Sequence, residues 1–199
     1  MGHNLPALAG ETLASQVASG EPYRLESNEL PFFLEFRKRL DAALQKGGRL
    51  PQLDLAITYF NKSFGDLHEA DQLIDLLMCL EALLLQEDQE LSFRLAQRAA
   101  NLLGASPDDR RAVYRQVKEY YDVRCKVVHG DFLRPKHNEA LRQVSRFRDL
   151  VRRVLLSSIA VAESERFDEK FYARLDEAAL DDDVRKDLQT KASSLLYLR

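Results

Sequence analysis

Leu67–Leu85 reads LHEADQLIDLLMCLEALLL, and its pattern decides the architecture. Leu73, Leu77, Leu80 and Leu84 recur at three- and four-residue steps, which places them on one stripe of an α-helix. Ile74, Leu76, Met78, Leu83 and Leu85 widen that stripe until little of the helix is polar. A helix that is apolar nearly all round has to be enclosed by other helices, so this segment predicts the centre of a bundle. Glu81 is the exception. A carboxylate among leucines is costly unless it is paired or sits at a boundary. Two readings stay open for it: an exposed seam or salt bridge, or an acid supporting a functional site on a neighbouring helix.

The flanking sequence supplies the enclosing helices. On the N-terminal side, Asn28–Gln45 has a capping residue, then Leu30, Phe33, Leu34, Arg37 and Leu40 at helical spacing, with Gly47-Gly48 as the stop. About Gln52–Phe64 forms a second helix on Leu53, Ile57 and Phe60, ended by Gly65, and Asp66 is the expected cap of the central helix. Tyr59 and Phe60 suit ring packing in the core or stacking on bases. On the C-terminal side, Gln89–Leu103 buries Leu91, Leu95, Ala99 and Leu102 and is closed by Gly104. Ser106-Pro107-Asp108-Asp109 opens the next helix, with a capping serine, proline in the first turn and acids near the positive end of the dipole. That helix runs to Val128 or His129, and Gly130 is its stop. After a connection at Phe132–His137, Asn138 to about Glu163 reads as one long helix on Leu141, Val144, Phe147, Val154, Leu155 and Ile159. Residues 167–199 suggest two short helices, the second headed by Asp181-Asp182-Asp183, packing on the bundle or joining a partner.

The expected fold class is therefore all-α: an antiparallel helical bundle over 28–165, an N-terminal arm at 1–27 and a C-terminal helical extension at 166–199. The arm is punctuated by Pro6, Gly10, Gly20 and Pro22, and one short helix is expected in it. The 199 residues are enough for one core with appendages, and 45% hydrophobic with 31% charged residues suits a folded globular chain. A net charge of −3 argues against a basic nucleic-acid coat but leaves room for a local basic site. Cys79 and Cys125 are too few for a disulfide framework, which points to a reducing, cytoplasmic setting. The N-terminus lacks the basic start of a signal peptide, and the longest apolar run is too short for a membrane span. No four-ligand zinc pattern occurs, and no cofactor is expected.

The chemistry concentrates in Tyr121–Asp131, YDVRCKVVHGD. Arg124 precedes His129 by four intervening residues. A guanidinium forks onto phosphate oxygens, and an imidazole exchanges protons near neutral pH. Together they would grip a phosphodiester and move its proton. On an ideal helix the two lie roughly 140° apart after one full turn, so they converge only through distortion or across a groove against another surface. Further cations suit a phosphate track: Arg94 and Arg98 one turn apart, Lys126 in the motif, and Arg142, Arg146, Arg148, Arg152 and Arg153 on the long helix. Each also has an ordinary reading. Arg94 and Arg98 suit pairs with Glu87 and Glu90, and the long helix's arginines suit a solvated face.

Three blocks in this order resemble the Apea-like branch of the HEPN superfamily: Leu73-Ile74-Asp75-Leu76 with Leu80-Glu81-Ala82-Leu83-Leu84; Glu90-Leu91-Ser92-Phe93-Arg94-Leu95-Ala96 with Arg98-Ala99-Ala100; and Tyr121-Asp122-Val123-Arg124 with Val128-His129-Gly130. The resemblance covers about Leu50 to Ala162. It implies a HEPN-type helical bundle that pairs into a homodimer, so that two Arg/His motifs share one cleft. It also implies a metal-independent endoribonuclease of a toxin, anti-phage or RNA-processing system, with RNA as substrate and a possible antitoxin or other regulatory protein. Carried over, Arg124 holds the scissile phosphate and His129 is the general acid/base in attack by the ribose 2′-hydroxyl. Asp122 and Glu81 orient them, and Cys125 follows the arginine where catalytic members often carry a polar residue. The alternative within the same resemblance is a non-catalytic RNA- or nucleotide-binding or dimerisation module.

Overall fold

The computed structural model describes residues 26–45 and 51–196, and all regular secondary structure among them is helical. The elements are α1 (Leu30–Gln45), α2 (Pro51–Lys62), α3 (Glu69–Leu84), α4 (Leu91–Leu103), α5 (Pro107–His129), α6 (Pro135–Arg142), α7 (Val144–Ala162), α8 (Glu169–Glu177) and α9 (Asp182–Ser193). The expected short helix in the N-terminal arm and the stop at Gly47-Gly48 lie outside the described residues.

α3 is the central helix, as its composition predicts. It contacts α2, α4, α5, α6 and α7. Leu73, Leu76, Leu77, Leu80, Leu83 and Leu84 have no exposed surface. Each such leucine contributes roughly 1.5–3 kcal/mol by leaving water. The facing layers are Leu95, Ala96 and Ala99 of α4, Val117, Tyr120 and Val123 of α5, and Phe147, Val151 and Val154 of α7. Tyr120 stacks on Phe147 with ring centroids 4.2 Å apart, which locks α5 to α7.

Helix ends follow local chemistry where the cap is local. Ser106 and Asp109 form a reciprocal capping box at the start of α5. Gly130 ends that helix in the left-handed conformation at φ 69°, and Asp131 N donates 2.9 Å to the Lys126 carbonyl in the closing turn. Two expectations are corrected. Asp66 does not cap α3. His68 takes that position without a side-chain cap, because the helix starts two residues later than expected, at Glu69. The long helix expected over 138–163 is two helices that meet at Gln143, and the first turn begins at Pro135. Tyr120 Oη donates 2.9 Å to the Gln143 carbonyl, a tertiary bond from another helix that marks the break.

The C-terminal segment is built into the bundle. α9 packs against α4 and α7, α8 packs against α4, and Phe171, Tyr172, Leu175, Leu188 and Leu195 join the same core. Arg39 of α1 donates to Glu163 at 2.6 and 2.8 Å and to the Ser194 carbonyl at 3.0 Å, fastening both ends of the described chain to α7. The N-terminal turns of α1 are less enclosed than their spacing predicts: Leu30, Phe33 and Leu34 remain exposed while Leu40 and Ala43 pack inward. Among the described residues no helix is long and apolar enough to cross a membrane.

Candidate functional site

α5 carries the candidate residues, and its regular turns decide which of them meet. At about 100° per residue, Arg115, Lys118, Asp122, Lys126 and His129 share one stripe, whereas Arg124 lies on the other side. Arg124 turns toward α3. Its Nη2 is 4.0 Å from Oε1 of Glu81, and its guanidinium lies 5.8 Å from the ring centre of Tyr121. The pair is part-buried, and neither Arg124 Nε nor Glu81 Oε1 has a hydrogen-bond partner. Burial pushes the Glu81 carboxyl up from the ordinary range, and Arg124 opposes that shift. Burial raises the Tyr121 phenol as well, with the nearby Glu81 charge reinforcing it. The anomalous acid of the central helix thus faces the motif arginine, an arrangement expected of a supporting acid and of a salt bridge alike.

His129 stands exposed in the last turn of α5, on the far side of the helix from Arg124. No hydrogen bond or ion pair joins the two within the chain, in keeping with the roughly 140° between them on an undistorted helix. Val128 and Phe132, on either side of the helix end, are 52% and 86% exposed. Cys125 is a half-buried free thiol. Asp122 does not reach Arg124. Its carboxylate lies 4.0 Å from Lys126 Nζ and 3.6 Å from His137 Nε2.

The expected phosphate track breaks up in the folded chain. Arg98 is corrected outright, since it is fully buried and its donors are consumed. It bonds both oxygens of Asp176 at 2.7 Å, both oxygens of Glu87 at 2.7 and 2.9 Å, and the Leu84 carbonyl at 2.7 Å. Arg94 reinforces the same cluster at 3.1 Å from Asp176, with Glu87 and Glu90 beyond. These are the carboxylate pairings of the ordinary reading, extended by an acid from α8. Arg148 also leaves the proposed basic face. Its Nη2 donates to the Ser63 carbonyl at 2.9 Å and to Gln72 Oε1 at 2.8 Å, and its guanidinium lies 4.7 Å from the ring centre of Phe64. Arg146 remains exposed on α7, beside Arg153 and Asp149.

His137 is the residue the sequence reading missed. It sits at the third position of α6, is 3% exposed, and lines an open groove between α5 and α6 of about 440 Å³ with Tyr114, Lys118 and Asp122. The available signal was Pro135, which is favoured in the first turn of a helix and places His137 just inside it. Among the described residues no three His, Cys, Asp or Glu side chains are grouped so as to hold a metal ion. Comparison of the chain with models of protein families, with curated proteins and with solved structures gives no match.

Proposed function

We propose that the chain is a metal-independent endoribonuclease of the HEPN superfamily, of the toxin or anti-phage kind, acting in the cytoplasm as a homodimer. The observation that carries this reading is Arg124: a part-buried cation with no hydrogen bond, on the same helix as an exposed histidine. Its side chain is 24% exposed and, among the described residues, is engaged only by the 4.0 Å approach to Glu81 and by the Tyr121 ring, which supports a role in holding a phosphate. The angular separation from His129 is met by dimerisation, in which Arg124 and His129 of two copies line one cleft. Exposed Val128 and Phe132 beside His129 supply an apolar rim for a second copy to cover.

In this mechanism Arg124 donates to the non-bridging oxygens of the scissile phosphate and stabilises the charge that grows there. One His129 accepts the proton of the ribose 2′-hydroxyl. The 2′-oxygen bonds to phosphorus as the bond to the 5′-oxygen breaks, and an imidazolium donates the proton that the leaving 5′-oxygen takes up. The products are a 2′,3′-cyclic phosphate and a 5′-hydroxyl. Glu81 orients Arg124 through its carboxylate on α3. An antitoxin or other regulatory protein would restrain the activity. The second reading, a non-catalytic RNA-binding or dimerisation module, is favoured by the divergence of Arg124 and His129 within one chain.

The test is cleavage of a labelled RNA in EDTA by the parent, Arg124→Ala and His129→Ala, with circular dichroism to check folding and light scattering to measure mass. The nuclease reading expects metal-free cutting by a dimer and its loss, by a factor of roughly 10²–10⁴, in both variants. Folded variants that cut as well as the parent refute the dyad. An RNA that binds but is never cut supports the second reading.

A further inference from the structure

The groove between α5 and α6 contains a buried hydrogen-bond donor with nothing to donate to. His137 Nδ1 accepts from the Arg134 backbone N–H at 3.2 Å, so the ring hydrogen sits on Nε2. That Nε2 is buried and has no hydrogen-bond partner, with the Asp122 carboxylate beyond bonding distance at 3.6 Å. An unpaired buried donor is costly, and this one stands behind the half-exposed Asp122 carboxylate at the wall of an open groove, so a ligand hydroxyl that engages Asp122 is placed to complete it. Arg115, Lys118 and Lys136 give the same groove three cations, while Asp122 and Glu119 give it two carboxylates. The α6 N-terminus, with its partial positive charge, opens beside it.

A bare anion does not explain this mixture, because the two carboxylates would repel it. A ribonucleotide does. Its phosphate suits the lysines and Arg115, its 2′-hydroxyl is both donor and acceptor and so satisfies Asp122 and His137 Nε2 together, and its base has the Tyr114 ring as a wall. Arg115, Lys118 and Asp122 of the groove share one stripe of α5 with Lys126 and His129, so a strand leaving the groove along that stripe heads toward the proposed cleavage point. We propose that this groove is a ribonucleotide subsite for single-stranded RNA, placed next to the scissile position, with Asp122 and His137 reading the 2′-hydroxyl. The inference rests on the proposed RNA function and adds to it where the strand lies and what distinguishes RNA from DNA.

The experiment uses the full chain carrying His129→Ala, to hold cleavage in check. Fluorescence anisotropy compares a labelled oligoribonucleotide with the deoxyribose oligomer of the same sequence, and unlabelled adenosine 5′-monophosphate competes in a third arm. RNA is expected to bind several-fold tighter than DNA. Lys118→Glu with Lys136→Glu should lower RNA affinity at least tenfold and flatten the salt dependence by roughly 0.7 in log–log slope for each phosphate no longer neutralised. Asp122→Asn should erase the RNA-over-DNA preference without weakening DNA binding, a result that a merely structural role for Asp122 would not give. The His137 Nε2 proton resonance should shift on adding RNA. Competition by the mononucleotide alone, with no preference for the oligomer, would identify a free nucleotide as the occupant and overturn the strand-binding proposal. So would charge-reversal variants that bind RNA within twofold of their parent. Should the charge reversals leave binding intact while Arg124→Ala abolishes cutting, the groove assignment falls and the dyad stands. Strong groove effects alongside full cutting by Arg124→Ala would give the reverse.

Discussion

Replacing Arg98 by alanine is the perturbation whose size the structure fixes most tightly. Arg98 has no exposed surface, and each of its five N–H donors is engaged by Asp176, Glu87 or the Leu84 carbonyl. It also lies 5.3 Å from the ring centre of Tyr172. The bonds cross from α4 to α8 and to the α3–α4 connection, so one side chain ties the C-terminal helices to the central pair. Truncation leaves two carboxylates facing each other, an orphaned carbonyl and a cavity the size of a guanidinium. Removing one member of a buried ion pair costs about 3–5 kcal/mol, and Arg94, 3.1 Å from Asp176, recovers part of it, so about 3 kcal/mol is expected. The loss has a pH signature. Arg98 holds the Glu87 carboxyl down at about 2 from its ordinary 4.5. A depressed carboxylate contributes stability that is complete above its unfolded value and is lost as pH falls toward its folded one. The parent should therefore weaken as pH falls from about 4.5 toward 2, and Arg98→Ala should lack most of that slope. Urea denaturation followed by circular dichroism at neutral and acid pH measures both quantities. A loss under about 1 kcal/mol, or an unchanged acid slope, would refute the clamp.

The buried Asp75 predicts the opposite slope. Burial and neighbouring Asp66 push its carboxyl up to about 6 against the pull of Lys62, 2.9 Å away. A carboxyl raised on folding gives its full contribution below its unfolded value and loses it as pH climbs through about 6. Asp75→Asn should therefore flatten the pH dependence of stability between about 4 and 7, by up to roughly 3 kcal/mol, and equal slopes in a melting series would count against it. Gly104→Ala should cost about 1–3 kcal/mol, because a methyl there would lie 2.5 Å from Arg110 Cγ and 2.6 Å from Arg110 N, at the first turn of α5; a melting temperature equal to the parent's would contradict this. Gly130→Ala meets no atom within 4 Å, so its cost of about 1–2 kcal/mol is the backbone's alone at φ 69°, and Gly130→Asn should recover part of it in the same melts. Glu81→Gln removes the carboxylate facing Arg124 while keeping its shape; RNA cutting should fall several-fold with little change in urea stability, and unchanged cutting would remove Glu81 from the site.

What was legible in the sequence was local. The leucine spacing of Leu67–Leu85 identified the enclosed helix, and Ser106, Asp109 and Gly130 marked the ends of α5, because each acts on backbone within a turn of itself. What was not legible depends on partners far along the chain. The break at Gln143 is bonded by Tyr120 from another helix, and Arg98 is buried by Asp176, 78 residues away. His137 escaped notice because Asp122, the carboxylate 3.6 Å from its ring, comes from another helix, and its own helix begins inside a segment read as connection.

The contrast between two arginines gives the candidate site its physical basis. Arg98 and Arg124 were both candidates for a phosphate on sequence grounds, Arg98 with carboxylate pairing as its ordinary reading, and both are withdrawn from full contact with water. Burying a guanidinium is tolerable when its donors are satisfied, and Arg98 meets that condition with every donor matched to an oxygen within 2.9 Å. Arg124 does not. Its closest carboxylate is 4.0 Å away, that carboxylate is itself raised by burial, and its Nε has no partner. A chain selecting only for stability would replace such a pair by apolar side chains, which are often as stable or more so. Retaining an arginine whose donors are idle therefore makes sense where an external oxyanion completes it. That criterion separates Arg124 from Arg98, and it also picks out His137, the buried donor in the neighbouring groove.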